Sequence, residues 1–144
     1  MGLDNGFLVK SDKRQFTRED LPHGIDYPFS TDYYHAPEIV YWRKNWGLRN
    51  AVIEYLNDAE SDKGESNADA EDGYYYVDTP EQVLRIVEII FHFLDEDNWD
   101  EYGDSIWEYE EARPGLQRDI INLILIIPFL RDHPDAYLEF YDSY

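Results

Sequence analysis

Three short segments of the chain have the pattern of strands, two by alternation of apolar with other residues and YYYVD by its run of aromatic and β-branched residues. The first is GFLVKS, Gly6–Ser11, and the second is YYYVD at 74–78. The third, AYLEFYDSY, is the last stretch of the sequence. Because aromatic and β-branched residues favour strands, these segments predict a small sheet, with a further short strand near Ile106–Tyr109.

Apolar residues recur at helical spacing over Glu38–Asn57, in the run EIVYWRKNWGLRNAVIEYLN. Pro37 precedes this run and suits the first turn of a helix, because its missing N–H is not needed there. The spacing predicts a helix in which Trp42 and Trp46 lie on one buried line. Gly47 would be a weak point in the interior of that helix.

Two further helices are predicted later in the chain. Thr79-Pro80-Glu81-Gln82 has the form of a capping box and predicts the start of a helix that runs to about Glu96. The residues predicted to be buried on this helix are Val83, Leu84, Ile86, Val87, Ile90, Phe91 and Leu94. The strongly apolar segment Gly115–Arg131 predicts the third helix, which Pro128 is expected to kink or to end.

Two long connections differ in composition. Residues 12–37 contain three prolines together with large apolar residues, and they predict an ordered arm packed on the domain. Residues 57–73 carry seven acids against Lys63 and no apolar residue larger than alanine. Such a segment cannot bury enough surface to order itself, so it predicts a mobile acidic loop.

The predicted order of elements is β-α-β-α-(β)-α-β. This order predicts an α+β fold, in which about three helices pack on one face of a small, three- to four-stranded sheet. A length of 144 residues fits a single domain over 1–144.

Charge is distributed unevenly along the chain. The formal net charge is −20, yet residues 1–50 contain seven acids and seven bases, so the whole excess lies in residues 51–144. Such a field disfavours direct binding of nucleic acid, which needs a basic face. It would either steer cationic partners toward the protein or only maintain solubility, and the charge alone does not decide between these.

Several classes of protein are disfavoured by composition. The absence of cysteine excludes disulfides, thiolate metal sites and cysteine catalysis. No apolar run reaches the length of a membrane span, and the start of the chain lacks the order of a signal peptide. We therefore expect a cytoplasmic protein that does not associate with membranes.

The sequence contains no recognisable catalytic or metal-binding constellation. Its four histidines are isolated, its two acidic loops depart from the EF-hand pattern, and it has neither a nucleophile elbow nor a phosphate-binding glycine loop. We predict no catalytic residue, no metal ligand and no cofactor. Catalysis by paired carboxylates, for glycosidic cleavage or together with Mg²⁺, stays open as an alternative, because an acidic chain contains many such pairs and the sequence singles out none.

The helix predicted over 38–57 carries the most distinctive candidate for binding, formed by Trp42, Arg43 and Trp46. In one interpretation the tryptophans anchor the core and the cations balance the acidic remainder of the chain. In the other, the cluster is a binding hot spot, since tryptophan and arginine are enriched at such spots.

The opening MGLD, the run YWRKN at 41–45 and the strand YYYV at 74–77 resemble a family of small proteins common in bacteriophages and prophages. The chain departs from the family pattern in the acidic segment 57–73, in the proline-rich arm and at Trp46-Gly47. The resemblance implies a phage or prophage origin and an accessory role, and it implies no catalytic residue because no activity is established for the family. The matching positions are Gly2, Leu3, Asp4, Tyr41, Trp42, Arg43, Lys44, Asn45, Tyr75, Tyr76 and Val77.

These observations predict a non-enzymatic accessory protein that binds a host or phage protein. In a sharper form, acids of 95–111, namely Asp97, Asp100, Glu101 and Asp104, imitate DNA phosphates and occupy a basic surface of the partner. One alternative is a small Mg²⁺-dependent hydrolase or nucleotide-handling enzyme. Another is an immunity-type inhibitor of a toxin, and the oligomeric state is left open.

Overall fold

The computed structural model describes residues 4–31, 36–58, 74–99 and 108–143. Among these residues, four strands form one antiparallel sheet in the order β2-β1-β4-β3. The same ranges contain three α-helices, so the predicted α+β fold is confirmed. The strands are β1 (Asp4–Ser11), β2 (Glu38–Arg43), β3 (Tyr74–Val77) and β4 (Ala136–Ser143), and the helices are α1 (Trp46–Asp58), α2 (Pro80–Phe93) and α3 (Tyr109–Asp132).

The core lies between the helices and one face of the sheet. The central strands β1 and β4 place Phe7 opposite Phe140 and Val9 opposite Leu138, and these four side chains join the helices in one apolar cluster. Leu8 points the other way and belongs to a separate, small cluster on the opposite face. Alternation along β1 therefore separates the helix-facing side of the sheet from its outer side.

The helix predicted over Glu38–Asn57 is wrong in its first part, because Glu38–Arg43 forms strand β2. Ile39-Val40-Tyr41-Trp42 is a β-branched and aromatic run, and pairing with β1 buries it more fully than an isolated helix turn could. Lys44 then takes a positive φ of 53°, which turns the chain. The side chain of Asn45 accepts a hydrogen bond from the backbone N–H of Leu48 and so caps α1.

This change of element separates the two tryptophans that were predicted to share a line. Trp42 lies in the strand and is 5% exposed, whereas Trp46 opens α1 and is 38% exposed. Gly47 lies in the first turn of α1 rather than in a helix interior. The observed order of elements is accordingly β-β-α-β-α-α-β.

Helix α2 begins at the predicted capping box. Gln82 donates its backbone N–H to Thr79 Oγ1, and its side chain accepts from the Thr79 backbone. Two members of the predicted buried stripe, Leu84 and Phe91, are exposed, because the buried face is centred on Val83, Ile86, Val87, Ile90 and Phe93. Leu84 and Phe91 are seven positions apart, which is about two helical turns, so both fall on one line at the flank of the helix.

Helix α3 is longer than predicted. It begins at Tyr109, which was expected to end a short strand, and it continues to Asp132 past both Pro114 and Pro128. Both prolines lie on the exposed side of the helix. Glu108 of that expected strand is the N-cap of α3. Residues 106–107 and most of the predicted mobile loop, 59–73, lie outside the described residues.

Over its described residues 12–31, the arm between β1 and β2 packs as predicted. Phe16, Leu21 and Ile25 are buried in the main core. Asn122 of α3 reaches this arm, where its side chain accepts from the Asp26 backbone N–H and donates to the carbonyl of Ile39 in β2. The arm and β2 are therefore tied to the same buried face of α3.

Candidate functional site

A cleft opens where the end of β2 meets the first half of α3, and its volume is about 260 Å³. Tyr41, Trp42 and Leu116 form its apolar wall, while Arg43, Arg118 and Asp119 supply most of its charge. Alternation along β2 turns Trp42 toward the helices and leaves Arg43, its neighbour, exposed. We call this site the Trp42 cleft.

Asp119 lies at the floor of the Trp42 cleft. It follows Leu116 by three residues and precedes Leu123 by four, so helical spacing places its carboxylate on the buried face of α3. Trp42 Nε1 donates to Asp119 Oδ2 at 2.8 Å, and the aspartate is only 1% exposed. Burial raises the pKa of Asp119 to about 7, against the opposing effects of the Trp42 hydrogen bond and of Arg118. The carboxyl group can therefore hold or release a proton near neutral pH.

Two buried polar atoms at this floor have no hydrogen-bond partner in the described part of the chain, Asp119 Oδ1 and Arg118 Nε. Arg118 Nη2 lies 3.7 Å from Asp119 Oδ1, which is too long for a hydrogen bond. An unsatisfied buried group costs about 1–3 kcal/mol, and native structures contain few of them. A bound group that offers both an acceptor and a donor would remove this cost after a small movement of either side chain.

The mouth of the cleft is basic although the protein is acidic. Arg43 is exposed, and the side chain of Arg118 keeps 31% of its exposure. Glu111 also lines the cleft and is exposed. An anionic or strongly dipolar group would meet favourable charge here and repulsion over most of the remaining surface.

The residues predicted for partner binding fall into four groups. Trp42 and Arg43 come together in the cleft described above. Trp46 does not line it, and its ring instead lies 6.0 Å from the Arg49 guanidinium. Asp97 is exposed in the short 3₁₀ helix after α2, where its backbone N–H donates to the Asp95 side chain. The other three predicted acids, Asp100, Glu101 and Asp104, lie outside the described residues.

A larger cleft of about 400 Å³ lies between α1 and α2. Glu54, Asp58 and Glu88 line it, so it offers the concave acidic surface that a Mg²⁺-dependent enzyme would need. Arg85 donates to Glu88 at 2.7 Å and occupies one of these carboxylates. Over residues 4–31, 36–58, 74–99 and 108–143, no three acidic or histidine side chains converge closely enough to hold a metal ion.

A second buried carboxylate belongs to Glu38, on the outer face of the sheet. Glu38 is 1% exposed and accepts a hydrogen bond from the Tyr141 hydroxyl. Burial raises the pKa of Glu38 to about 7; the Tyr141 hydrogen bond opposes this rise and the Asp4 charge adds to it. Glu38 lines neither cleft, and its Oε1 also has no hydrogen-bond partner among the described residues.

Sequence reasoning missed Asp119, Arg118 and Glu38 as members of buried sites. A usable signal existed for Asp119, since a charged residue at the spacing of Leu116 and Leu123 interrupts a mostly apolar helix face. For Glu38 no such signal was available, because the residue was assigned to a helix start, where acids are commonly exposed.

Comparison with known protein families, with curated proteins and with solved structures finds no significant match to this chain. Function must therefore be inferred from the geometry of the chain itself. Among the described residues, no helix combines the length and the apolar content that crossing a bilayer requires.

Proposed function

We propose that this protein is a non-enzymatic, cytoplasmic accessory protein of phage or prophage origin that binds a protein partner through the Trp42 cleft. The proposal is carried by two features of one cleft. Arg43 is exposed at the mouth, and Arg118 Nε and Asp119 Oδ1 are buried at the floor without a hydrogen-bond partner among the described residues. The resemblance of the YWRKN run to phage proteins supports the origin.

The size of the cleft favours a protein partner over a free small molecule. Pockets for drug-sized ligands usually measure about 300–1,000 Å³. At about 260 Å³ and open to the surface, the Trp42 cleft fits one or two side chains of a larger surface. Tryptophan, tyrosine and arginine around a desolvated centre are also the composition of interface hot spots.

Charge acts at two distances on such a partner. The net charge of −20 attracts a basic surface from afar, which raises the rate of encounter. At contact, the two arginines at the mouth favour an acidic or carboxamide side chain as the group that enters the cleft. The partner that we expect therefore has a basic surface with one such anchor, and a toxin neutralised by this protein would meet that description.

The test compares proteins captured from host lysate by the wild-type chain, by Arg43→Glu and by Lys13→Glu, at low and at moderate salt. Both substitutions change the net charge by the same amount, but Lys13 is exposed on the arm and does not line the Trp42 cleft. We expect a protein that the wild type and Lys13→Glu retain and that Arg43→Glu loses. Equal capture by all three chains, or no capture by the wild type, would contradict the proposal.

A further inference from the structure

The exposed side of α3 is apolar at its centre. Ile121 is 56% exposed and Ile124 is 46% exposed, and Pro128 continues the same line toward the end of the helix. Residues three, four and seven apart lie on one face of a helix, so these side chains form a continuous stripe. We call it the Ile121 stripe. The Trp42 cleft uses Leu116 and Asp119 on the buried side of the same helix, so the two surfaces do not overlap.

Opposite charges lie at both ends of the Ile121 stripe. Glu110 and Arg113 stand in the first turns of α3, and Arg131 and Asp132 stand in its last turn. All four side chains are about half exposed or more. Their contacts within the helix are loose, at 3.7 Å between Arg113 and Glu110 and at 3.4 Å between Arg131 and Asp132. They can therefore turn toward a second surface at little cost.

We propose that the Ile121 stripe is a homodimer interface, on which α3 of a second copy packs antiparallel about a two-fold axis between Ile121 and Ile124. In this register Ile121 lies opposite Ile124 of the second copy. Arg113 then lies opposite Asp132 of the second copy, and Arg131 comes within about one helical turn of the other Glu110. Two-fold symmetry makes each of these contacts twice.

The antiparallel arrangement follows from the charges. A parallel pairing would set Arg113 against the second Arg113 and Arg131 against the second Arg131. The antiparallel pairing replaces these like-charge contacts with opposite-charge contacts, and it opposes the two helix dipoles. The ends of the stripe are thus complementary to a copy of themselves.

The charge of α3 also permits a second copy of the chain to pack on this face. Helix α3 holds four acids and three arginines, so it contributes little to the −20 of the chain. The local charge repulsion between two packed α3 helices is therefore small. A strongly basic partner would find little opposite charge here, in contrast to the acidic parts of the surface.

The experiment measures the mass of the full chain by sedimentation and by light scattering over a range of concentrations. We expect a dimer whose dissociation constant rises about tenfold or more in Ile121→Gln, which removes apolar surface at the centre of the stripe. Phe29→Gln is the control, because Phe29 is similarly exposed but packs against Tyr41, on the outer face of the sheet. Far-UV circular dichroism confirms that each variant is folded.

A charge exchange tests the register independently. Arg113→Glu and Asp132→Arg should each weaken the dimer, and the double variant should restore it, because the opposite pair is re-formed in both halves of the interface. The proposal is overturned if the wild type is monomeric at every concentration, if Ile121→Gln and Phe29→Gln behave alike, or if the double variant is weaker than both single variants.

Discussion

At the scale of single residues, the outer face of the sheet depends on the absence of one side chain. Gly6 lies in β1 beneath the buried Glu38 and Tyr141 pair. A Cβ atom at this position would clash with Glu38 Oε2 and would stand 2.6 Å from the carbonyl oxygen of Val40. The second contact is with backbone and cannot be relieved by a rotamer change, so glycine is required for the close approach of β1 and β2.

Gly6→Ala should therefore lower the free energy of unfolding by about 2–4 kcal/mol, through overpacking and displacement of the Glu38 carboxylate. Urea unfolding measures the change. Gly115→Ala is the matched control, since nothing lies within 4 Å of a Cβ there and alanine favours the helix, by up to about 1 kcal/mol. Equal effects of the two substitutions would show that crowding at Gly6 is not the cause.

At the scale of elements, one ion pair fastens α1 to the end of β4. Arg49 Nη2 and Nε donate to the two carboxylate oxygens of Asp142 at 2.6 and 3.1 Å, and Asn5 donates to the same carboxylate at 2.6 Å. The side chains of Arg49 and Asp142 keep only 16% and 5% of their exposure. This geometry sets the start of α1 against the sheet directly after the turn at Lys44.

Replacing Arg49 by methionine should lower the free energy of unfolding by about 2–4 kcal/mol, because the buried Asp142 carboxylate would lose its guanidinium partner and keep the side-chain amide of Asn5 as a donor.

 The Asn5 side-chain amide alone cannot balance that charge. Thermal and urea unfolding measure the loss. Arg85→Met serves as the control, because it removes a solvent-exposed ion pair with Glu88 and should change stability by less than about 1 kcal/mol. If both variants lose the same stability, the Arg49 pair does not fasten α1 to β4.

At the scale of the whole molecule, the acidic net charge and two buried carboxyls both make the folded state less stable as pH rises. Glu38 and Asp119 have ordinary pKa values of 4.5 and 3.8, and burial raises both to about 7 in the folded chain. Between these limits the folded state binds more protons than the unfolded state. The stability that these protons contribute is complete below about pH 4 and is lost as pH rises toward 7.

We therefore expect the free energy of unfolding to fall between about pH 5 and pH 7, with a slope approaching about 1.4 kcal/mol per pH unit for each of the two carboxyls. Asp119→Asn and Glu38→Gln should each flatten this slope, and the double variant should flatten it further. Urea unfolding across that range gives the measurement. Glu81→Gln removes an exposed carboxyl as the control, and a slope identical in all variants would refute the assignment.

Much of the architecture was predictable from local pattern. The strands at β1, β3 and β4 and the start of α2 follow from alternation and from the Thr79 capping box, which act within a few residues of chain. The error at β2 shows where such reasoning ends. Its run of aromatic and β-branched residues also fits a helical stripe, and pairing with β1 decides between the two.

The candidate site was predictable only in part, for the same reason. Trp42 and Arg43 were identified from their composition, but the prediction joined them to Trp46, which the turn at Lys44 carries away from the cleft. Asp119 lies 77 positions along the chain from Trp42, and their hydrogen bond exists only because α3 packs against β2. No local pattern contains a contact of that separation.

The sequence by itself determined the α+β class, most of the elements and the uneven distribution of charge, because periodicity, capping and composition are properties of short segments. Tertiary structure decided that Glu38–Arg43 is a strand and that Trp42 is buried while Trp46 is exposed. It also decided that Asp119 and Glu38 are buried carboxyls with raised pKa. These outcomes depend on which segments meet in space, and the free energy of burial and pairing between them exceeds the local preferences of the residues.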